Sequence, residues 1–256
     1  MTEPAPAPES RPSKTPWLTG GRAGYVALGV SVVALGLAAA PWFTGANVRS
    51  YLLNHPEVLQ EASAALQDKE AQARVDTIND LAQANAALLK PDPRDPAFGP
   101  VDAKVTVIEF FDFRCPGCKA VAHDYRALMA AHPEVRFVFK DWPILDRGED
   151  VTSQYAARAA LAAHQQGKYL EVYDALMTEP ALTPETVDRI LSEHGVDMTR
   201  AKAAISAIDT TRHIADIHTT AAALQLQGTP TFFVNGRASP SIDPAEIGRL
   251  IEAAKR

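Results

Sequence analysis

Two cysteines, the only ones among the 256 residues, stand in the sequence Cys115-Pro116-Gly117-Cys118. The run that precedes them, residues 104–111, is mostly β-branched and aromatic, which predicts a strand buried on both faces. The run that follows carries apolar side chains at helical spacing. The pair is therefore expected where a strand passes into a helix, with Cys115 at the N-cap and Pro116 in the first turn, where no backbone N–H is needed.

The chemistry expected of this pair is thiol–disulfide exchange. Unpaired N–H groups and the positive end of the helix dipole favour an anion at Cys115. A cysteine so placed in a Cys-X-X-Cys pair has a pKa lowered from about 8.5 to roughly 3.5–7.5. Cys115 is therefore predicted to be a thiolate near neutral pH and to form mixed disulfides, which Cys118, one turn inside the helix, would resolve.

The alternatives for this pair are a structural disulfide and half of a metal site. A disulfide across so short a loop would restrict the unfolded chain very little. Structural zinc needs four ligands, and the sequence has no second cysteine pair; His213 and His218 have no cysteine near them in sequence. Redox chemistry is favoured, with no metal site and no cofactor expected, and capture of Cu(I) or another soft metal ion by the two thiols stays open.

Residues 109–119, Glu-Phe-Phe-Asp-Phe-Arg-Cys-Pro-Gly-Cys-Lys, resemble the active-site signature of the DsbA-like thioredoxin-fold oxidoreductases of bacterial envelopes. The resemblance implies that Glu109 lies below the second cysteine and assists its deprotonation. Burial in an otherwise apolar strand would raise the pKa of this carboxyl group and allow it to relay a proton. The alternative is a structural ion pair with Lys140 on the neighbouring predicted strand, since buried charges are normally paired.

A second part of the site is predicted at Thr229-Pro230, where a proline opens a strand after a long helix. In the proteins that the sequence resembles, the matching proline is cis and faces the cysteines. The resemblance thus assigns Thr229 and Pro230 to substrate binding, together with Pro116 and Gly117, and the Thr229 backbone would pair with an extended peptide. A proline that merely opens a strand is the alternative.

Gly117 is a departure from the oxidising DsbA proteins, which have an imidazole at this position. That imidazole stabilises the thiolate further, and glycine cannot replace its charge. The site is therefore expected to be less oxidising than that of DsbA, although the sequence assigns no potential.

The order of predicted elements is that of an α/β protein. Strands at 104–111 and 135–140 flank the helix that follows the cysteines, which predicts a parallel β-α-β unit. A helical block at about 150–227 comes next, as an inserted subdomain. With the C-terminal elements, the prediction is a thioredoxin fold of DsbA type over residues 101–256.

The C-terminal elements are a hairpin and a helix. Residues 231–234 are predicted to be a strand, and Asn235-Gly236 is typical of the tight turn that joins two antiparallel strands. Asp243, followed by proline and then by Glu246, predicts a capped helix start.

Residues 24–43 are uncharged and mostly apolar, with aromatic residues near both ends, and are long enough to span a bilayer. Residues 1–23, rich in proline, are expected to be a disordered tail. Basic residues are more frequent before the apolar stretch than after it, which predicts a single-pass inner-membrane protein with a cytoplasmic tail and a periplasmic catalytic domain. A cleaved signal peptide is the alternative, and it would also export the catalytic domain.

Residues 47–90 lack glycine and contain one proline, Pro56, so they are predicted to be helical. Their apolar stripe is thin, and such a helix must lie on its own catalytic domain or pair with copies of itself. Residues 51–59, followed by an Ala- and Gln-rich helix, resemble the N-terminal segment of the ScsC (suppressor of copper sensitivity) family, which is associated with oligomerisation, commonly as a trimer. A solvated spacer is the alternative. Residues 91–100 contain four prolines and are predicted to be a semi-rigid linker.

The function predicted from these features is that of an envelope thiol–disulfide oxidoreductase, acting as a disulfide isomerase or reductase on exported cysteine-containing proteins and served by a membrane redox partner. A DsbA-like oxidase, a Cu(I)-binding chaperone and a tethered adaptor are the alternatives. The net charge of −6 argues against nucleic acid as a partner.

Overall fold

The computed structural model describes residues 29–35 and 46–256. The chain divides into two compact units, Met1–Leu66 and Gln67–Arg256. In the first unit, helix α1 covers residues 29–35 and helix α2 covers Ala46–Asn54. Helix α3, Pro56–Ala84, begins in the first unit and ends in the second.

The predicted membrane anchor at 24–43 lies largely outside the described residues, as does all of the predicted tail at 1–23. Of the anchor only residues 29–35 are described, and they are helical with exposed side chains. Within the described ranges, no helix is both long enough and apolar enough to cross a membrane.

A five-stranded sheet with the order β1-β3-β2-β4-β5 forms the centre of the second unit. β2 and β3 are parallel, and each of the other neighbouring pairs is antiparallel. The predicted parallel β-α-β unit and the C-terminal hairpin are thus confirmed, and the hairpin turns at Asn235 and Gly236, both with positive φ. The strands are β1, Ala97–Phe98; β2, Thr106–Phe111; β3, Arg136–Asp141; β4, Thr231–Val234; and β5, Arg237–Ala238.

Helices connect the strands as the sequence predicts. α4, Pro116–Ala131, joins β2 to β3, and α10, Pro244–Ala254, follows the hairpin with Asp243 as its N-cap. The chain between β3 and β4 forms the predicted helical insertion. Its helices are α5, Thr152–His164; α6, Tyr169–Thr178; α7, Pro184–Glu193; α8, Met198–Ser206; and α9, Ile208–Ala223.

Side chains of β2 alternate between two buried faces, which explains its almost uninterrupted apolar sequence. Val107 and Phe111 belong to the larger core, with side chains from α4, α6 and α10. Ile108 and Phe110 belong to a second core on the opposite face, which includes residues of α9. Glu109, between them in sequence, lies on the first face.

The C-terminal half of α3 packs on the second face of the sheet. Ala82 is buried there, together with Leu89 from a short 3-10 helix, Ala86–Leu89. The Asn79 side chain accepts a hydrogen bond from the Ala238 backbone N–H at 2.8 Å, at the edge of the sheet. The sequence analysis considered packing on the catalytic domain or pairing with other copies for this helix. Its C-terminal half packs on the catalytic domain.

Residues 91–100 are more ordered in the structure than a linker between domains would be. They contain β1, which pairs with β3, and Asp95, which is buried and forms an ion pair with Lys140 at 2.6 Å. Proline excludes a helix but not an edge strand, and the Pro96 carbonyl accepts a hydrogen bond from Phe139 N–H at 2.9 Å.

Candidate active site

A turn held by Asp112 carries the chain from β2 into α4. The buried Asp112 carboxylate accepts hydrogen bonds from the backbone N–H groups of Arg114 and Ile144, both at 2.8 Å, from Leu145 N–H at 3.0 Å, and from the Ser153 hydroxyl at 2.9 Å. These four bonds satisfy the carboxylate and fix the turn before the cysteines. Sequence reasoning did not single out Asp112, although an acid between two phenylalanines directly before the cysteines was a signal.

Cys115 is the N-cap of α4, as predicted, and 8% of its surface is exposed. Its pKa is lowered to about 5, first by a hydrogen bond with the Cys118 side chain. Burial opposes this effect, while the Thr229 side chain and the backbone N–H groups of Cys118 and Gly117 add to it. Cys115 is therefore a thiolate at neutral pH, where an ordinary cysteine is a thiol.

Cys118 lies one helical turn further along and is fully buried. Its pKa is raised, first by burial, then by the hydrogen bond with Cys115 and by the negative charge that Glu109 carries when it is ionised. Both cysteines are free thiols in this structure. The two sulfurs thus differ in both exposure and charge, which favours attack by Cys115 and later deprotonation of Cys118.

The loop before β4 brings Thr229 and Pro230 to the cysteines. The peptide bond between these two residues is cis, as the resemblance implies. The Cys115 thiol donates to the Thr229 carbonyl at 3.1 Å, so this carbonyl interacts with the thiol form while the Thr229 side chain favours the thiolate.

Gly117 allows a close approach between the helix start and this loop. A Cβ atom at position 117 would lie 3.3 Å from Pro230 Cδ, 3.7 Å from Cys115 Sγ and 3.9 Å from Ile242 Cδ1. The structure therefore places Gly117 and Pro230 beside the reactive sulfur, with Ile242 as a further apolar neighbour that the sequence analysis did not identify.

Glu109 is fully buried beneath the cysteines and is not paired with Lys140. Lys140 lies on the other face of the sheet, because it is one residue from Phe139, the β3 partner of Glu109. Glu109 Oε2 accepts from the Tyr173 hydroxyl at 3.5 Å, and Oε1 has no hydrogen-bond partner among the described residues. Burial and the charge of Asp141 raise the pKa of Glu109. The structural alternative for Glu109 is thus not the arrangement adopted.

The two histidines considered as metal ligands do not meet the cysteines. His213 Nε2 lies 3.3 Å from Asp95 Oδ1, and His218 Nδ1 accepts from Trp142 Nε1 at 3.1 Å. In the part of the chain that the structure describes, no group of three or more His, Cys, Asp or Glu side chains could hold a metal ion.

Two family models match this chain. The thioredoxin model matches residues 91–253, and the model of the copper resistance protein ScsC N-terminal domain matches residues 45–73. The first covers more than half of the chain and includes the segment at 91–100. The second begins at the start of α2 and extends into α3.

The curated relatives are of two kinds. The chain is 36% identical over 148 residues to Na(+)/H(+) antiporter NhaA 3 of Salinispora tropica, covering 57% of this chain but only 22% of the antiporter. It is 29% identical over 177 residues to the thiol:disulfide interchange protein DsbA of Dickeya dadantii, covering 65% of this chain and 80% of that protein. The chain therefore spans about a fifth of the antiporter and most of the DsbA.

Solved structures also resemble this chain. A thioredoxin-like oxidoreductase from Silicibacter pomeroyi has 39% identity and a TM-score of 0.59, covering 64% of this chain and 94% of its own. Proteus mirabilis ScsC in a transitional conformation has 23% identity and a TM-score of 0.60, covering 85% of this chain and 97% of its own. The ScsC likeness concerns the fold alone.

Proposed function

We propose that this chain, which belongs to the thioredoxin family, is a thiol–disulfide oxidoreductase of the DsbA and ScsC type that acts on exported cysteine-containing proteins. The observation that carries the proposal is the contrast between the two sulfurs. Cys115 has a pKa lowered to about 5, whereas Cys118 is fully buried with a raised pKa. A reactive sulfur beside a shielded one is the arrangement that a two-step exchange reaction needs.

The reaction begins at Cys115. Its thiolate attacks one sulfur of a substrate disulfide, the substrate S–S bond breaks, and the other substrate sulfur leaves as a thiolate. Cys118 then loses its proton and attacks Cys115 Sγ, which releases the substrate thiol and leaves a Cys115–Cys118 disulfide. The reverse sequence oxidises a substrate dithiol.

The remaining site residues have supporting roles in this proposal. Glu109 exchanges a proton with Cys118, since it is the carboxylate whose charge acts on that thiol. Pro116 and Gly117 form the helix start beside Cys115, where Gly117 lets Pro230 approach closely. Thr229 and Pro230 offer their backbone to an extended substrate peptide next to the reactive sulfur.

Isomerase or reductase activity is favoured over simple oxidation by the N-terminal helices. The ScsC N-terminal match and the exposed leucines of α2 and α3 support self-association, as a trimer by resemblance to that family. We place the catalytic domain in the periplasm, held by an inner-membrane anchor at 24–43 and served by a membrane redox partner. Because position 117 is a glycine and not a histidine, the site is not expected to be as strongly oxidising as that of DsbA.

Trapping of mixed disulfides tests the proposed function. In cells, Cys118→Ser should accumulate disulfide-linked complexes with exported proteins, because Cys115 still attacks and nothing resolves the product. Cys115→Ser is the matched control and should trap few. Equal trapping by both variants on non-reducing gels, or none by either, would overturn the assignment.

A further inference from the structure

Asp141, the last residue of β3, is a second buried carboxylate on the same face of the sheet as Glu109. In the parallel pair, Glu109 lies opposite Phe139, and Asp141 is two residues further along β3. Because side chains alternate along a strand, Asp141 shares the face of Phe139 and is a diagonal neighbour of Glu109. The exposed fraction is 0% for Glu109 and 1% for Asp141.

Neither carboxylate has a positively charged partner among the described residues. Asp141 Oδ2 accepts from the Tyr169 hydroxyl at 3.0 Å, and Glu109 Oε2 accepts from the Tyr173 hydroxyl at 3.5 Å. The second oxygen of each carboxylate, Asp141 Oδ1 and Glu109 Oε1, has no hydrogen-bond partner in the same described ranges. The nearby Lys140 ammonium is bound to Asp95 instead.

Apart from Lys140, whose ammonium is bound to Asp95, no cation in the described part of the chain acts on either carboxylate. Burial lowers the pKa of His164, which contacts the Tyr169 ring edge-on, so its neutral form is favoured. The negative charge of Asp95 repels that of an ionised Asp141 and so raises the pKa of Asp141. The titratable groups that interact with the two carboxylates are Cys118 and Tyr125 of α4, Tyr169 and Tyr173 of α6, and Asp95 before β1.

Two neighbouring carboxylates in an apolar interior do not readily ionise together. Burial raises the pKa of Asp141 to about 8, and burial together with the charge of Asp141 raises that of Glu109. The hydrogen bonds decide where a single charge resides. The bond from Tyr169 to Asp141 is 0.5 Å shorter than that from Tyr173 to Glu109, so the anion is better stabilised on Asp141.

We propose that Asp141 is a positioning residue that ionises before Glu109, takes the one negative charge that this carboxylate pair can carry, and thereby holds Glu109 in its protonated form beside Cys118. The inference rests on the proposed function, because Cys118 must exchange a proton in both directions of the reaction. Asp141 acts through Glu109 and does not touch the reacting sulfurs.

This charge distribution affects the two directions of the reaction differently. When Cys118 attacks Cys115 Sγ in a mixed disulfide, its S–H bond breaks, the Cys115–Cys118 bond forms, and the substrate sulfur leaves with the bonding electrons. Glu109 accepts the proton only in those molecules in which it is ionised, and Asp141 keeps that fraction small. In the reverse reaction, protonated Glu109 donates its proton to Cys118 as the disulfide opens.

The test uses an aromatic disulfide, dithiobis(nitrobenzoate), and the reduced full-length protein in stopped flow. Attack by Cys115 releases one coloured thiolate, and attack by Cys118 releases the second. The rate of the second phase should rise with pH as Glu109 ionises. In the Asp141→Asn variant, the midpoint of this rise should move down by at least about one pH unit, so that at pH values below the midpoints of both proteins the variant's second phase is roughly tenfold faster than that of the wild type. The first phase should be unchanged. Tyr169→Phe, which removes the hydrogen bond that favours the Asp141 anion, should move the midpoint in the same direction by less.

The two proposals fail in different ways. If wild-type protein releases no second thiolate, or if Cys118→Ser releases it equally well, the proposed function falls. If the wild-type shows both phases and the Asp141→Asn profile coincides with it, the inference about Asp141 falls. A variant that is slower at every pH, with the midpoint unchanged, would also overturn the inference, because Asp141 would then act on the fold and not on the proton.

Discussion

Cys115 and Cys118 differ in ionisation because they occupy different places on one helical turn. Cys115 is the N-cap, outside the first turn, where the Cys118 side chain and the backbone N–H groups at the helix start lower its pKa. Cys118 is inside the helix, with Glu109 beneath it and no exposed surface. The same residue type is thus an anion at one position and a neutral thiol three residues later.

Alkylation of the reduced protein should show this difference directly. Iodoacetamide is expected to label Cys115 with a pH midpoint that follows its pKa of about 5. Cys118→Ala should raise this midpoint, because it removes the hydrogen bond that lowers the pKa most, whereas Cys118→Ser retains a donor and is the matched control. A wild-type midpoint near about 8.5, the value of an ordinary thiol, would contradict the prediction.

The lowered pKa of Cys115 also links the stability of the reduced protein to pH. A pKa lower in the folded than in the unfolded state means that ionisation stabilises the fold. This contribution is fully present above the unfolded pKa, about 8.5, and is lost as the pH falls through the folded pKa of about 5. The difference in free energy of unfolding between reduced wild type and Cys115→Ser, measured in urea, should therefore grow from pH 5 toward alkaline pH. A difference independent of pH would argue against a thiolate.

Gly117 sets how strongly the thiolate is stabilised. Gly117→His would place an imidazole close to Cys115 Sγ, since even a Cβ atom there lies 3.7 Å away. When protonated, it should lower the pKa of Cys115 by about one unit or more and make the disulfide more oxidising. Equilibration with glutathione measures the potential. Gly117→Gln, of similar size without the charge, controls for crowding against Pro230, and an equal change in both variants would exclude the charge as the cause.

Elements near the cysteines could be predicted from sequence because local signals agree there. The β2 run is apolar on both faces, and Pro116 fixes the start of α4, so strand, N-cap and helix follow from adjacent residues. The partner of Glu109 could not be predicted in this way. Whether Lys140 or another group reaches it depends on the register of β2 against β3, and a shift of one residue reverses the face.

The segment at 91–100 shows the limit of composition as a guide. Four prolines predicted a linker, but the burial of Asp95 depends on Lys140, which lies 45 positions later in sequence. β1 has two residues, too short for any periodic signal. The pairing of this strand with β3 shows that the segment belongs to the folded unit.

The ion pair between Asp95 and Lys140 should contribute to this attachment. Lys140→Met is expected to lower the free energy of unfolding by about 3–5 kcal/mol, because it leaves the Asp95 carboxylate buried without its cation. The double variant Asp95→Asn with Lys140→Met should recover part of the loss, since no unpaired charge remains. Urea unfolding of the reduced proteins measures both. A single variant as stable as the wild type would show that the segment is held by other contacts.

For the whole molecule, the N-terminal helices bear on the choice between isomerase and oxidase. An isomerase must hold a misfolded substrate while its disulfides rearrange, and an assembly of several copies makes rebinding intramolecular. An oxidase needs only one reactive disulfide. Leu59 and Leu66 are 53% and 56% exposed and are seven residues apart on α3, a spacing that favours pairing with helices of other copies.

We therefore expect a soluble chain beginning at Asn47 to be an oligomer, most simply a trimer, that reactivates a scrambled disulfide-rich protein. Replacing both Leu59 and Leu66 by serine should yield monomers, because the apolar contacts between copies are lost, while the first turnover at Cys115 should be unaffected. Leu53→Ser, which changes a still more exposed leucine of α2 outside the seven-residue spacing, is the matched control. Light scattering gives the mass, and refolding of scrambled ribonuclease gives the activity. If the unchanged chain is already a monomer, the isomerase proposal fails and a DsbA-like oxidase takes its place; if the serine variant stays an oligomer, another surface must join the copies.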